Sequence, residues 1–174
     1  MKVKKIIPAF IILLVIICIL IIPFKTALVF YQENTNRIIA FLPIKPGDNF
    51  QIIFKHSIHL TDVVEKYHIS AELNIVQDEI IFEEFGIGMP SNAEGGAEFE
   101  YKDGKYHISK LNQTFESMNI RNGKTVSEHR LVWGKNENQF VWFNDYFEPG
   151  AWFTVKAEKL SLLQYLKGVK IDER

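Results

Sequence analysis

The sequence predicts an all-β fold, an antiparallel sandwich or partly open barrel of roughly eight strands, behind an N-terminal transmembrane helix and ahead of a short C-terminal helix. Three observations predict it. A long uncharged apolar run opens the chain. After it, apolar and polar residues alternate over short segments, which turn residues separate about every 8 to 12 positions. Near the C-terminus, apolar residues recur at helical spacing.

The apolar run, from Ile6 to Phe24, has about the 19 residues that a helix needs to cross the hydrocarbon core of a bilayer. Three lysines precede it and Lys25 alone follows it closely, a bias that keeps the N-terminus in the cytoplasm. We therefore expect a basic tail and signal anchor over residues 1–25, in the cell membrane, and one extracytoplasmic domain over residues 26–174. A cleaved signal peptide is the alternative, but the bulky residues that end the run make a poor cleavage site.

The composition narrows the chemistry of the exported part. The single cysteine, Cys18, lies inside the apolar run, so the domain has no thiol for a disulfide, a thiolate metal site or a nucleophile. All 21 acidic residues lie in the domain, whereas three of the 20 basic ones lie in the tail. A mildly acidic domain is a poor candidate for binding nucleic acid. The sequence predicts neither a cofactor nor a nucleic-acid partner.

The first strands of the domain are expected at 26–31 and 36–44, before a turn at 45–49 that contains proline and glycine. The segment Phe50–Ile75 then alternates as two long strands joined by a tight turn at Leu60–Thr61. The second of these strands is expected to continue to Val76, turn at Gln77 and Asp78, and return through an isoleucine-rich strand.

The predicted register of this central hairpin places His56 opposite Glu65 and Phe54 opposite Tyr67. His56 and Glu65 are each the one polar side chain on an otherwise apolar strand face. Directly opposed side chains on paired strands are in contact range. The register therefore predicts a buried or half-buried imidazole and carboxylate pair beside a polar turn.

Turn residues mark the later strands. Asp103–Gly104 and Asn122–Gly123 are each a preferred pair for a type I′ hairpin turn, the first setting Tyr101 against Tyr106. The remaining expected elements are a turn at 134–138, a loop at 145–150, a strand at 151–155 and a short amphipathic helix within 157–169, with Gly168 near its end.

Two loops are candidate contact surfaces, the glycine-rich segment 86–96 and the aromatic-rich segment 145–150. The tryptophans and the aromatic residues near them are assigned to the core rather than to a sugar-binding surface. These are Trp133, Phe140, Trp142, Phe143, Tyr146, Phe147 and Trp152.

The polar residues of the central hairpin allow several kinds of site. His56 and Glu65 are suitable zinc ligands, although too few other ligands converge on them. A hydrolase would use Ser57 as nucleophile and His56 as base, but neighbours along a strand point apart. Recognition of a ligand or partner remains open, as does a purely structural pair in which the two groups satisfy each other in the core.

The chain also resembles a known family. The residues that carry the resemblance are the sequence FKHSI at 54–58, then Thr61, Val63 and Glu65 with the aromatic Tyr67, then FGIGMP at 85–90. These are similar to the small exported bacterial proteins of the domain of unknown function 1850 family, over about Ile52 to Val155. The resemblance implies that His56, Ser57, Thr61, Glu65, Gly86, Gly88 and Pro90 are motif positions. It implies no activity, but members are often encoded beside tripartite TRAP-type transporters.

We therefore expect a membrane-anchored accessory or binding protein, non-enzymatic, that contacts a transporter subunit, its solute-binding protein or a small ligand. The ligand- or partner-binding residues would be those seven motif positions, with no catalytic residue and no metal ligand among them. The alternative is an envelope hydrolase or metal-dependent enzyme centred on His56 and Glu65.

Overall fold

The structure, a computed structural model, describes residues 3–86, 88–90, 95–126 and 128–172. Within these residues it forms two helices and twelve strands. They are α1 (Val3–Ile21), β1 (Pro23–Gln32), β2 (Ile38–Pro43), β3 (Asn49–Lys55), β4 (Asp62–Ile69), β5 (Ile75–Phe82), β6 (Glu98–Lys102), β7 (Lys105–Phe115), β8 (Met118–Arg121), β9 (Arg130–Trp133), β10 (Gln139–Trp142), β11 (Trp152–Ser161), α2 (Leu162–Lys167) and β12 (Val169–Lys170). Positions 87 and 91–94 of the glycine-rich loop lie outside the described residues.

The strands form two sheets. One has seven strands in the order β10-β9-β3-β4-β5-β7-β6, and the other has five in the order β12-β2-β1-β11-β8. All the pairings are antiparallel except that of β12 with β2. The predicted all-β class and the short C-terminal helix are confirmed, while the described strands outnumber the expected eight.

The main core lies between the two sheets. Phe30 of β1 is at its centre, with the rings of Phe147 at 5.1 Å, Phe153 at 5.7 Å and Phe143 at 6.3 Å. Strand β1 is buried on both faces, because its odd-numbered residues Ala27 and Val29 enter a second cluster.

Helix α2 covers that second cluster, where Tyr165 packs against Phe41 with ring centroids 4.7 Å apart. The helix begins later than predicted because β11 continues to Ser161. The Ser161 hydroxyl then caps the helix by accepting from the Gln164 N–H at 3.3 Å, while the Gln164 side chain accepts from the Ser161 N–H at 2.9 Å. Gly168 follows the helix, as predicted.

One residue, Ile22, separates helix α1 from β1. Its apolar side chains from Phe10 onward are largely exposed. None of the helices in the described part of the chain combines the length and the apolarity needed to cross a membrane.

The register of the central hairpin differs from the predicted one. Ile52 pairs with Glu65 and Phe54 with Val63, because the strands separate after Lys55 and Asp62. Residues 56–61 form a closed loop in which the His56 N–H donates to the Thr61 carbonyl at 2.9 Å. The predicted pairing is therefore wrong by four residues. Since four is even, every side chain still faces the predicted side of the sheet.

The next turn also falls earlier than predicted. Strand β4 ends at Ile69, and the Ser70 hydroxyl accepts from the N–H groups of Glu72 and Asn74, both at 3.2 Å. Gln77 and Asp78, expected to form the turn, instead lie inside β5.

The two turn dipeptides have different outcomes. Asp103–Gly104 forms the predicted hairpin, with φ of 52° and 80° and Tyr101 paired with Tyr106. The Asn122–Gly123 hairpin is wrong, because β8 pairs with β11 instead. The Asn122 amide is buried and donates to the carbonyls of Phe147 and Glu148, each at 3.1 Å. Asn122 thus forms a tertiary contact instead of the predicted turn.

The aromatic residues near the C-terminus are only partly in the core. Phe143 and Phe147 are buried as predicted. Phe140, Trp142 and Trp152 are 51%, 38% and 45% exposed, so their assignment to the core is wrong.

Candidate functional site

A cleft opens between the two sheets where β8 faces the inner surface of β3, β4 and β5. This inner cleft has a volume of about 530 Å³. Its floor is formed by Ile52, Glu65, Tyr67 and Gln77 of the seven-stranded sheet. Among the residues of its opposite wall are Met118, Ile120, Arg121 and Trp152 of the other sheet.

Glu65 lies in the inner cleft because the alternation of β4 points it to the same face as Val63 and Tyr67. The Tyr67 hydroxyl donates to Glu65 Oε2 at 2.7 Å. Burial raises the pKa of Glu65 by more than this bond lowers it. Burial and the neighbouring carboxylate also raise the pKa of Tyr67. Burial thus shifts both groups toward their uncharged forms.

A β-bulge places Gln77 in the same floor. Tyr67 pairs with Gln77 and Glu65 with Ile80, so β5 has one extra residue, Asp78, between these pairs. The extra residue keeps both Gln77 and Ile80 on the inner face. Gln77 is buried there, which adds an amide to the acid and the phenol.

His129 lies at one end of the inner cleft between two aromatic rings. Its centroid is 5.3 Å from that of Phe54 and 5.5 Å from that of Phe143. The Gly123 N–H donates to His129 Nδ1 at 3.2 Å, which places the ring proton on Nε2. Burial lowers the pKa of His129 to about 4, so the imidazole is neutral at pH 7.

Arg121 is an exposed residue of the inner cleft. Its guanidinium lies over the Trp152 ring, with Cζ 5.8 Å from the centroid. This stacking stabilises the cation and leaves its in-plane N–H groups able to donate.

A second opening, the outer cleft, adjoins the first and shares Phe54, Arg121 and His129 with it. Its volume is about 560 Å³. The residues found only in the outer cleft include His56, Ser57, Gly88 and Lys124. The two clefts form one continuous candidate site.

His56 is the most constrained of the sequence-predicted residues. It is buried at the start of the 56–61 loop, where its Nδ1 faces the N–H groups of Ile58 at 3.3 Å and His59 at 3.4 Å. Its ring stacks on that of His59 with centroids 4.9 Å apart. His56 therefore shapes the loop that presents Ser57 to the outer cleft.

The glycine-rich motif packs on this histidine stack. A Cβ atom on Gly86 would lie 2.7 Å from His59 Nε2 and 3.1 Å from His56 Cε1, so only glycine fits without a shift. Gly88 has φ of 92° and lines the outer cleft.

Two other motif positions have different roles. Thr61 acts through its carbonyl, which closes the 56–61 loop. Pro90 is not among the described residues that line either cleft.

The structure does not bring His56 and Glu65 together as an opposed pair. Glu65 is opposite Ile52 and bonds to Tyr67, and His56 lies beyond the end of β3. In the described part of the chain, no three or more His, Cys, Asp or Glu residues are grouped so that they could hold a metal ion. The site instead combines hydrogen-bonding groups on its floor with cations near its mouth.

Sequence reasoning missed Gln77, Arg121 and His129. Gln77 is followed by Asp78 and Glu79, so the sequence there indicates a turn, and only the β-bulge in β5 places the amide on the inner face. Arg121 and His129 carry no local signal, because their place depends on β8 pairing with β11 and on the chain folding back over Phe54.

Comparisons with known proteins assign the family. No curated protein matches the chain, and no solved structure matches it. The family model described as domain of unknown function (DUF1850) matches residues 50–140, from β3 to β10, which covers much of the candidate site. Since this match covers more than half of the chain and includes the motif positions, the protein belongs to the DUF1850 family.

Proposed function

We propose that the protein is a membrane-anchored, extracytoplasmic accessory protein that binds a small molecule in the inner cleft. One observation carries the proposal. A cleft of about 530 Å³ opens between the two sheets, with both apolar side chains and a few polar groups in its lining. Binding sites for small molecules are typically of this size, with apolar walls and a few convergent polar groups. Glu65, Tyr67 and Gln77 are such groups.

The anchor and the outward orientation are supported by the apolar run and the lysines before it. The exposed apolar surface of α1 is consistent with a lipid environment. The association with a TRAP-type transporter rests on the family resemblance. Cross-linking the full-length protein in its own membranes tests it, since recovery of a transporter subunit or its solute-binding protein is expected. Recovery of neither would contradict the association.

The enzymatic alternative depends on a pairing of His56 with Glu65 that is not found in the hairpin. It required an imidazole and a carboxylate acting as a pair, and Glu65 is opposite Ile52 rather than His56. No other described contact favours a hydrolase, so binding is the function we carry forward.

A ligand screen tests the binding function. The full-length protein in mild detergent is melted with and without a library of small metabolites, beside two variants. Ile120→Trp fills the inner cleft, and Val169→Trp places the same bulk on an exposed strand away from it. We expect at least one compound to raise the melting temperature of the wild type and of Val169→Trp, but not of Ile120→Trp.

The binding function is contradicted if no compound stabilises the wild type. It is equally contradicted if every stabilising compound acts on Ile120→Trp as strongly as on the wild type. Circular dichroism of the three proteins confirms that they are folded before the comparison.

A further inference from the structure

We propose that the ligand of this site is a small organic anion, whose acidic group binds Arg121 and Lys124 while its apolar body lies between the two sheets. The inference rests on the binding function proposed above and adds the chemical class of the ligand. Four features of the site lead to it.

The first feature is the charge of the lining. Among the described residues that line the two clefts, Lys55, Arg121 and Lys124 are cationic, and Glu65 is the one carboxyl group. The whole chain has a formal net charge of −1, so the excess of cations is a local property of the site. A concave surface lined by one sign of charge concentrates ligands of the opposite sign.

The second feature is the state of these cations. Lys55 is neutralised by Glu128, with Nζ 2.7 Å from the carboxylate. Within the described residues, Arg121 and Lys124 form no salt bridge with the protein. Arg121 is nevertheless held in place by Trp152. A positioned guanidinium with its donors available suits a carboxylate, which it can bind with two parallel hydrogen bonds.

The third feature is that the titratable groups deeper in the site do not oppose an anion. Burial favours the uncharged form of Glu65, which reduces its repulsion of a second acid. His129 is neutral and has its ring proton on Nε2, a hydrogen-bond donor. His129 is therefore a donor for an anion beside Arg121, and the shift of Glu65 toward its uncharged form weakens the repulsion from its carboxyl group.

The fourth feature is the apolar lining, which distinguishes an organic anion from an inorganic one. Phe54, Phe115, Met118 and Ile120 all line the inner cleft and are only partly buried. Phosphate or sulfate would leave these side chains in contact with water. A carbon body would cover them and gain about 25 cal/mol for each Å² of apolar surface removed from water.

Matched acids and amides test this assignment. The probes are phenylacetate, hexanoate and glutarate, with phenylacetamide, hexanamide and glutaramide as neutral counterparts of similar shape. Binding to the full-length protein in detergent is measured by thermal shift and then by calorimetry. We expect at least one acid to bind while its amide does not. Its affinity should fall at least about tenfold in Arg121→Gln, as expected for loss of a charge-assisted hydrogen bond. The exposed Arg37 supplies the control Arg37→Gln, which should bind normally.

The outcomes separate this inference from the function on which it rests. If none of the acids binds, if the amides bind as well as the acids, or if Arg121→Gln binds as tightly as wild type, the anion assignment is overturned. The binding function itself would stand if a neutral compound still stabilised the wild type but not Ile120→Trp. If no compound of any class shows that dependence, both fail.

A second measurement requires no ligand. In a variant with Trp133→Phe and Trp142→Phe, the fluorescence comes from Trp152 beside Arg121. The measured quantity is the ratio of quenching by iodide to quenching by acrylamide. We expect Lys124→Gln to lower this ratio, because the positive site concentrates the iodide anion. An unchanged iodide-to-acrylamide ratio would overturn the inference.

Discussion

Two glutamates on one sheet show how the face of a strand sets the chemistry of a residue. Glu65 points into the inner cleft, where burial raises its pKa. Glu79 lies on the opposite face, 2.8 Å from His107 Nδ1 and 3.0 Å from Lys66 Nζ. Burial acts to raise the pKa of Glu79 as well, but these two partners outweigh it and the pKa is lowered. The same side chain is therefore shifted toward its uncharged form on one face and toward its anionic form on the other.

We predict that Glu65→Gln changes the dependence of stability on pH. Because the pKa of Glu65 is raised in the folded state, the wild type loses free energy of unfolding as the pH rises from the ordinary carboxyl pKa toward the raised one. Glutamine has no proton to lose and keeps a similar shape. The variant should gain stability relative to wild type over that range, and the gain should disappear at lower pH. Thermal melting at a series of pH values measures it.

Glu79→Gln is the matched control with the opposite sign. A lowered folded-state pKa contributes stability above the ordinary carboxyl pKa and loses it as the pH falls through the lowered value. The control should therefore be less stable than wild type at neutral pH by about 1 kcal/mol or less, since the group is partly exposed. If both substitutions changed stability at neutral pH in the same direction, the opposite pKa shifts assigned to Glu65 and Glu79 would be wrong.

The structure of an individual element can be predicted from its local sequence where contacts within that element determine it. Asp103–Gly104 forms its hairpin because both residues adopt positive φ without a competing partner. Asn122–Gly123 has the same turn chemistry, yet the Asn122 amide bonds to the loop before β11 instead. The register of the central hairpin was likewise decided by contacts within the 56–61 loop, which strand alternation does not encode. Alternation did predict correctly that Glu65 faces inward.

Replacing Asn122 tests the connection between the end of β8 and the loop before β11. Its buried amide serves the carbonyls of Phe147 and Glu148 and the side chain of Asn144 at 2.9 Å. Asn122→Ala leaves these acceptors without their donor, so we expect a loss of about 1 to 3 kcal/mol in the free energy of unfolding. Urea denaturation measures it.

Asn119→Ala is the matched control on the same strand. Its exposed side chain accepts only one bond described here, from the Thr154 hydroxyl at 2.8 Å, so its loss should cost well under 1 kcal/mol. Equal costs for the two substitutions would show that Asn122 does not hold the connection.

At the scale of the whole molecule, the arrangement of the two sheets explains why only one wall of the site could be predicted from the sequence. The floor comes from consecutive strands whose alternation can be read directly, and it includes Glu65 and Tyr67. The opposite wall comes from β8, which joins a different sheet and reaches the site only through its pairing with β11. A surface assembled from two sheets has no single stretch of sequence that encodes it.

The proposed anchor yields a prediction for the intact molecule. Full-length protein in bacterial membranes should resist extraction by alkaline carbonate and should retain its N-terminal segment by mass. Its domain should be digested by protease added from the outside. Leu14→Lys with Ile17→Lys should weaken insertion, at about 3 kcal/mol for each charge placed in the hydrocarbon core. Release of the wild type by carbonate would contradict the anchor.

The length of strand β1 gives the distance between the end of α1 and the inner cleft. It starts at Pro23, next to α1 and opposite Ser161, and ends at Gln32, opposite Phe153 and next to the cleft residue Trp152. A strand of ten residues rises about 30 Å between these ends. If the proposed anchor holds α1 in the bilayer, this length places the cleft up to about 3 nm from the membrane surface. The proposed transporter subunit or solute-binding protein would then have to reach the ligand at that distance from the membrane.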